Sequence, residues 1–118
     1  SRAKLEAVHR RIAAVDAARA AAVDILEGDA FDQESVDRIA GAARVVLSTA
    51  GPFIRYGTPV VDACVRFGTH YCDITGESPW VRQLIDKYHD EAAANGVHIV
   101  PFCGFDSIPF DLGAHMMA

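Results

Sequence analysis

The chain has 118 residues, 51% of them hydrophobic and 23% charged, a composition typical of one small globular domain with a buried core. Its formal net charge of −5 argues against a nucleic-acid-binding protein. No apolar run approaches the roughly 18 residues that a membrane-spanning helix needs. The three cysteines lack the spacing of a zinc ribbon or a disulfide framework, so we expect reduced thiols in a cytoplasmic protein.

The first part of the chain predicts two helices and two strands. Apolar residues at three- and four-residue steps indicate an amphipathic helix over about Ala3–Ala21. A short strand over Val23–Leu26 follows, and then a helix that is capped by Asp32 and ends near Gly41. The next segment, Arg44–Leu47, is apolar in its centre, as expected of a strand in a sheet that is covered on both faces.

The second part continues the alternation. Its predicted elements are a helix that starts at Thr58-Pro59 and stops at Gly68, a strand over His70–Ile74, a helix from Ser78-Pro79 to Asn95-Gly96, a strand over Val97–Phe102 and a helix after Ser107 and Pro109. The helix face that carries Trp80 is expected to join the core. Regular alternation of this kind predicts an α/β fold with four parallel strands and right-handed crossovers.

In an open parallel sheet, ligands bind beyond the carboxyl ends of the strands. That rule selects four segments: Glu27–Asp29, Ser48–Pro52, Asp73–Glu77 and Cys103–Ser107. Helices follow most of them directly, and a helix N-terminus can face an anion, so a phosphate-bearing ligand fits this edge. Ser48–Pro52 is the strongest candidate for ligand contact, although loops of this composition also serve simply as turns.

Several side chains at this edge leave alternatives open. Asp73 and Glu77 are candidates for a general acid or base, for holding a ribose hydroxyl, or for capping a turn. Cys103 stands where a nucleophile could, but no histidine partner is implied, which favours a structural thiol. His70 and Cys72 share one face of their strand, and because no third ligand is evident, no metal site is predicted.

Four motifs, STAGPF, YGTPVVDAC, GTHYCDITGE and CGFDSIPFDLGA, resemble those of the saccharopine dehydrogenase-like oxidoreductases, and most nearly those of the mycobacterial trans-acting enoyl reductases within them. The resemblance covers nearly the whole chain. It implies a Rossmann-like NAD(P)-binding domain, with NADP favoured over NAD, followed by a second α/β domain that binds substrate and dimerises.

The resemblance also implies roles for individual residues, although it identifies no catalytic proton donor. Arg2 is expected near the adenosine 2′-phosphate, and Asp29 near the adenine. The ribose and nicotinamide are expected to be lined by Ser48, Thr49, Ala50, Gly51 and Pro52. The reaction cleft is expected to be flanked by Tyr71, Asp73, Thr75 and Glu77.

No glycine pair with G-x-G spacing occurs in the chain, so the fingerprint that opens such a fold is not found. Residues 1–118 are therefore interpreted as a partial Rossmann-like domain, a fragment of a longer parent chain that lacks the glycine-rich first βαβ unit and the second domain. By itself this fragment is expected to be inactive and to bind dinucleotide weakly. Its open sheet edges favour a homo-oligomer.

The implied reaction is hydride delivery to an enoyl double bond in lipid biosynthesis of the phthiocerol type, on a small-molecule or acyl-chain substrate, with a polyketide synthase as partner. Two alternatives stay open: a non-catalytic dimerisation or interaction module, and a saccharopine-type oxidoreductase that acts on an amino-acid imine. Basic residues that clamp carboxylates would favour the imine, and a long apolar cleft would favour the lipid.

Overall fold

The computed structural model describes all residues 1–118. Its elements, in chain order, are α1 (Arg2–Val15), α2 (Ala17–Ala20), α3 (Gln33–Gly41), β1 (Val45–Ser48), α4 (Phe53–Phe67), β2 (His70–Asp73), α5 (Ser78–Ala94), β3 (Ile99–Val100) and α6 (Ile108–Met117). The strands form one parallel sheet in the order β1-β2-β3. This arrangement confirms the predicted α/β class, that of a truncated Rossmann-like domain. No helix combines the length and apolar character needed to cross a membrane.

Helices cover only one face of the sheet. Because neighbouring strands follow one another in sequence and the crossovers are right-handed, α4 and α5 pack on the same side. Val46, Tyr71 and Ile99 are in register across the three strands and face these helices, where they join the core. On the other face Val45 is 54% exposed and Leu47 is 65% exposed. The expectation that this sheet is covered on both faces is therefore wrong for this chain.

The core is centred on Trp80 of α5, which is 1% exposed, as predicted for this residue. Its indole stacks on Phe53 with 5.9 Å between ring centroids, and its Nε1–H donates to Thr58 Oγ1 at 2.9 Å. Gly57 lies directly beneath the ring, so α4 and α5 approach closely at this point. The indole thus locks the first two turns of α4 against α5.

A polar seam joins α3 to α4 and to the start of β2. The Arg66 guanidinium pairs with the carboxylates of Asp37 and Asp62, which lie on α3 and α4. The buried Thr69 hydroxyl lies 2.8 Å from the Ala40 carbonyl oxygen and 3.1 Å from that of Ala43, both within donating reach. These bonds fix the direction in which the chain enters β2.

The N-terminal region differs from the sequence prediction in two ways. The single helix expected over Ala3–Ala21 is divided at Asp16, whose backbone is extended and whose carboxylate accepts from Arg19 N to cap α2. The strand expected over Val23–Leu26 is not formed, so the sheet has three strands instead of four. A strand is stable only beside a partner that accepts its hydrogen bonds, and no strand pairs with this segment.

The start of α4 is also corrected. The helix begins at Phe53, and Pro59 lies within it, instead of Thr58 and Pro59 forming its cap and first position. The Glu77 carboxylate, which comes from a distant part of the chain, accepts from the N–H groups of Phe53 and Ile54 and so stabilises the earlier start of the helix. The strand predicted over Val97–Phe102 contracts to the two residues of β3.

The other element ends agree closely with the sequence. The Asp32 carboxylate accepts from Glu34 N at the start of α3, as predicted for this cap. Gly68 ends α4 in the left-handed conformation with φ 71°, and Asn95-Gly96 ends α5 with Gly96 at φ 65°. Left-handed backbone at these positions explains why glycine is used there.

Candidate functional site

A cleft at the carboxyl end of the sheet opens beside β1. It has a volume of about 610 Å³, within the usual range for small-molecule sites. The first turns of α1, the loop before α3 and the end of β1 form its walls. Four of the residues predicted to bind the cofactor line it together: Asp29, Ser48, Thr49 and Ala50. The tertiary structure therefore gathers these sequence-distant residues into one cleft.

Asp29 is held in place by the start of α3. Its backbone N–H donates to Ser35 Oγ at 2.9 Å, and the backbone N–H of Phe31 donates to its Oδ1 at 2.9 Å. Its second carboxylate oxygen receives no hydrogen bond from the protein and is free to accept one from a ligand. A fixed carboxylate of this kind suits a ribose hydroxyl or an amino group.

Arg2, which is expected near the adenosine 2′-phosphate, does not line this cleft, whereas Lys4 does. Arg2 lies in the first turn of α1 and is paired with Glu6 at 2.9 Å and Glu27 at 3.7 Å. Lys4, in the same first turn, lines the cleft together with Asp29 and has no ion pair. The excess of basic residues near the N-terminus was the only signal in the sequence that could have pointed to Lys4.

Gly51 and Pro52 lead from this cleft into α4. Pro52 is the N-cap residue of that helix, and the carboxylate that accepts from its first N–H groups belongs to Glu77, in the loop after β2. The backbone N–H groups of Phe53 and Ile54 donate to Glu77 Oε1 and Oε2, both at 2.7 Å. Such short bonds are typical of a charged acceptor. Glu77 thus ties the loop after β2 to the loop after β1.

A buried carboxylate, Asp73, joins the loops after β2 and β3. Its Oδ2 accepts from the Tyr71 hydroxyl at 2.9 Å, and its Oδ1 accepts from the backbone N–H groups of Thr75 at 3.0 Å and Phe102 at 3.2 Å. Its backbone oxygen accepts from Cys103 N at 2.7 Å. Phe102 has φ 62°, an uncommon value for a residue with a side chain, so these bonds offset local backbone strain.

The network keeps the Tyr71 hydroxyl protonated. Burial raises the pKa of this tyrosine, and the adjacent Asp73 carboxylate raises it further, whereas the Ser48 hydroxyl has a smaller opposing effect. Ser48 is in register with Asp73, so the end of β1 lies directly beside this network. The tyrosine therefore acts here as a hydrogen-bond donor to Asp73.

The residues predicted to flank a reaction cleft form this connected network instead of lining a solvent-open cleft in this structure. Tyr71, Asp73 and Thr75 are each at most 1% exposed. The Thr75 hydroxyl oxygen accepts from Glu77 N at 3.0 Å, which completes a path of hydrogen bonds from Tyr71 to α4. Of the alternatives left open for Glu77, the structure shows the capping role, because both its oxygens are used at the helix N-terminus.

The remaining candidates lie apart from the cleft. His70 Nδ1 accepts from the backbone N–H of His98 at 3.1 Å, at the amino end of the sheet. Cys103 is exposed, and its thiol lies 3.3 Å from the Val100 carbonyl oxygen. No group of three or more His, Cys, Asp or Glu side chains is placed to hold a metal ion.

Comparison with known proteins assigns the fold and cofactor class. Residues 3–100 match the saccharopine dehydrogenase NADP-binding domain. The chain belongs to this family. Membership confirms the resemblance seen in the motifs and the expected cofactor class, NADP or NAD. The parallel sheet, the cleft at its carboxyl edge and the family assignment are mutually consistent.

The proteins similar to the chain include two curated relatives and one solved structure. Trans-acting enoyl reductases of Mycobacterium leprae and Mycobacterium ulcerans are 46% and 47% identical over 93 and 91 residues, which are 79% and 77% of this chain. The chain spans about a fifth of their length, 22% in each case. The apo histidine-tagged saccharopine dehydrogenase (L-Glu forming) of Saccharomyces cerevisiae shares the fold, with a TM-score of 0.56 and 22% identity over 68% of this chain and 17% of that one.

Proposed function

We propose that the chain is the cofactor-binding part of an NAD(P)-dependent oxidoreductase that reduces an enoyl double bond. The observation that carries the proposal is the cleft beside β1, where Asp29, Ser48, Thr49 and Ala50 meet in a chain of the NADP-binding family. The relatives named trans-acting enoyl reductases support the reaction class. By the same analogy, the substrate is an acyl chain of lipid biosynthesis, and the partner is a polyketide synthase.

The residues of the cleft fit the nucleoside parts of NADPH. Hydroxyls of Ser48 and Thr49 and the free oxygen of Asp29 suit ribose or carboxamide groups, and the Lys4 ammonium suits a phosphate. When bound, the cofactor supplies the hydride. The chain's own residues bind and orient it: Asp29 is fixed by α3, and Ser48 is fixed by its place in β1 beside Asp73.

The first experiment measures NADPH and NADH binding to the full-length parent chain by the change in their fluorescence. Lys4→Met is expected to weaken NADPH binding about fivefold, the effect of losing an ion pair of about 1 kcal/mol at a partly exposed site. Arg10→Met makes the same charge change on α1 away from the cleft and is the control. Equal effects of the two variants would contradict a role for the cleft.

The second experiment identifies the reaction. NADPH oxidation is followed with a trans-2-enoyl thioester and, separately, with the amino-acid imine formed from glutamate and an aldehyde. Turnover of the thioester alone supports the enoyl reductase assignment, and turnover of the imine alone supports the saccharopine-type alternative. NADPH binding by the full-length parent chain without turnover of either substrate would argue against both.

The uncovered sheet face favours the second candidate, a dimerisation or interaction module. Val45 and Leu47 are more than half exposed on β1, and an apolar groove of about 440 Å³ runs along β3 beside α5. Exposed apolar surface on a sheet edge is typical of an interaction site. Val45 does not line the cofactor cleft, so if Val45→Lys converts an oligomer to a monomer and leaves NADPH binding unchanged, the interaction role is separate from cofactor binding.

A further inference from the structure

The N-terminus of α4 is occupied by the protein's own carboxylate. Glu77 accepts from Phe53 N and Ile54 N with one oxygen each, at 2.7 Å. A helix N-terminus carries partial positive charge and unpaired N–H groups, which is why it commonly binds phosphate. In this structure both N–H groups already have a charged acceptor that is half-buried and brought from a different loop.

Glu77 is itself held in position. Its backbone N–H donates to Thr75 Oγ1 at 3.0 Å, and Thr75 N donates to Asp73 Oδ1 at 3.0 Å. Asp73 is fully buried in the sheet. Because Glu77 is hydrogen-bonded through Thr75 to this buried anchor, the first turn of α4 is held at a fixed position relative to β2. The loop Ser48–Pro52, which precedes the helix, is held with it.

We propose that Glu77 is a positioning residue for the cofactor: it sets the geometry of the Ser48–Pro52 loop and closes the α4 N-terminus to phosphate groups. This inference rests on the proposed function. Its consequence is that an uncharged part of the dinucleotide, a ribose or the nicotinamide, meets this loop. The cofactor's phosphates are directed toward other donors, among which Lys4 is available in the same cleft.

The positioning role is tested with Glu77→Gln, which keeps the size of the side chain but replaces one acceptor oxygen by an amide that cannot accept. NADPH binding is expected to weaken about tenfold, as for loss of one hydrogen bond to a charged acceptor. In turnover by the full-length parent chain, KM for NADPH is expected to rise while kcat at saturating NADPH stays within about twofold, because Glu77 does not touch the reacting atoms. Amide resonances of Phe53 and Ile54 are expected to move upfield.

Glu34→Gln is the matched control, since Glu34 lies in the first turn of α3 but its carboxylate accepts no hydrogen bond. It is expected to leave NADPH binding within about twofold of the unaltered protein. Unchanged NADPH affinity in Glu77→Gln, despite moved Phe53 and Ile54 resonances, would overturn the positioning role. If Glu77→Gln does not fold, Glu77→Asp, which shortens the reach but keeps the charge, takes its place with the same readouts.

The closing role is tested without cofactor by titrating inorganic phosphate into Glu77→Ala and into the unaltered protein. Phosphate is expected to shift the Phe53 and Ile54 amides in Glu77→Ala only, because that variant leaves both N–H groups unpaired. Equal shifts in both proteins, or none in either, would overturn the closing role. Failure of the full-length parent chain to bind NADPH would instead reject the proposed function, and this titration would still decide whether Glu77 closes the helix.

Discussion

Gly57 offers the sharpest test of how α4 packs on α5. A Cβ at this position would lie 2.5 Å from Trp80 Cζ2 and 2.7 Å from Cη2. The optimum distance between two non-bonded carbon atoms is about 3.5–4.0 Å. The indole cannot easily withdraw, because it is 1% exposed, stacks on Phe53 and donates to Thr58.

Two opposing effects set the free energy of unfolding of Gly57→Ala. Alanine gains about 1 kcal/mol of helix propensity over glycine in a helix interior. Overpacking a rigid core typically costs about 1–3 kcal/mol, and the two short contacts place this site at the upper end. We therefore expect a net destabilisation of about 2 kcal/mol, which corresponds to a fall in Tm of about 8 °C for a domain of this size.

The assay is urea unfolding followed by far-UV circular dichroism, which does not depend on the tryptophan. Gly113→Ala is the matched control: Gly113 also lies in a helix, but an added Cβ would meet no atom within 4 Å, so its stability is expected to be unchanged or higher. Trp80→Phe removes the ring atoms that clash, so Gly57→Ala should cost at least about 1 kcal/mol less in that background. A Gly57→Ala variant as stable as the parent would refute the packing described for Trp80.

Four further predictions concern polar groups and thiols. Asp73→Asn is expected to lower the free energy of unfolding by about 2 kcal/mol, because a charged acceptor of three hydrogen bonds is lost, whereas the exposed Asp90→Asn should change it by less than about 0.5 kcal/mol in the same urea titration. Thr69→Val is expected to cost about 1–3 kcal/mol by removing the hydroxyl that lies within donating reach of the Ala40 and Ala43 carbonyl oxygens, although Ala40 keeps the Ala43 backbone N–H as a donor, and Thr69→Ser should recover most of that loss; equal destabilisation by both would show that the hydroxyl is not the cause. Burial raises the pKa of the Cys64 thiol to about 12, from about 8.5 in an unfolded chain, so the folded state retains this proton and its stability should decline as the pH rises from about 9 toward 12. At neutral pH a thiol reagent should label the exposed Cys103 in the native protein but Cys64 only on unfolding, and rapid native labelling of Cys64 would contradict its burial.

Local signals in the sequence predicted the elements that depend on local chemistry. Glycine at Gly68 and Gly96 ends helices because the left-handed backbone there disfavours other residues, and Asp32 caps α3 through a bond within its own turn. The alternation of helices and strands predicted the parallel sheet, because such strands need helical crossovers. The motifs identified the family and the cofactor class.

Tertiary contacts decided the features that join distant parts of the chain. The strand expected over Val23–Leu26 had the right residues but no neighbouring strand to accept its hydrogen bonds. The helix α4 begins at Phe53 because its cap comes from Glu77, 24 residues away, a distance that no reading of local sequence spans. Lys4 reaches the cleft only through the packing of α1. Sequence patterns thus determine the helix ends, caps and strands that depend on local backbone and solvent preferences. The ion pairs and hydrogen bonds that join two loops are fixed only when the sheet brings those loops together.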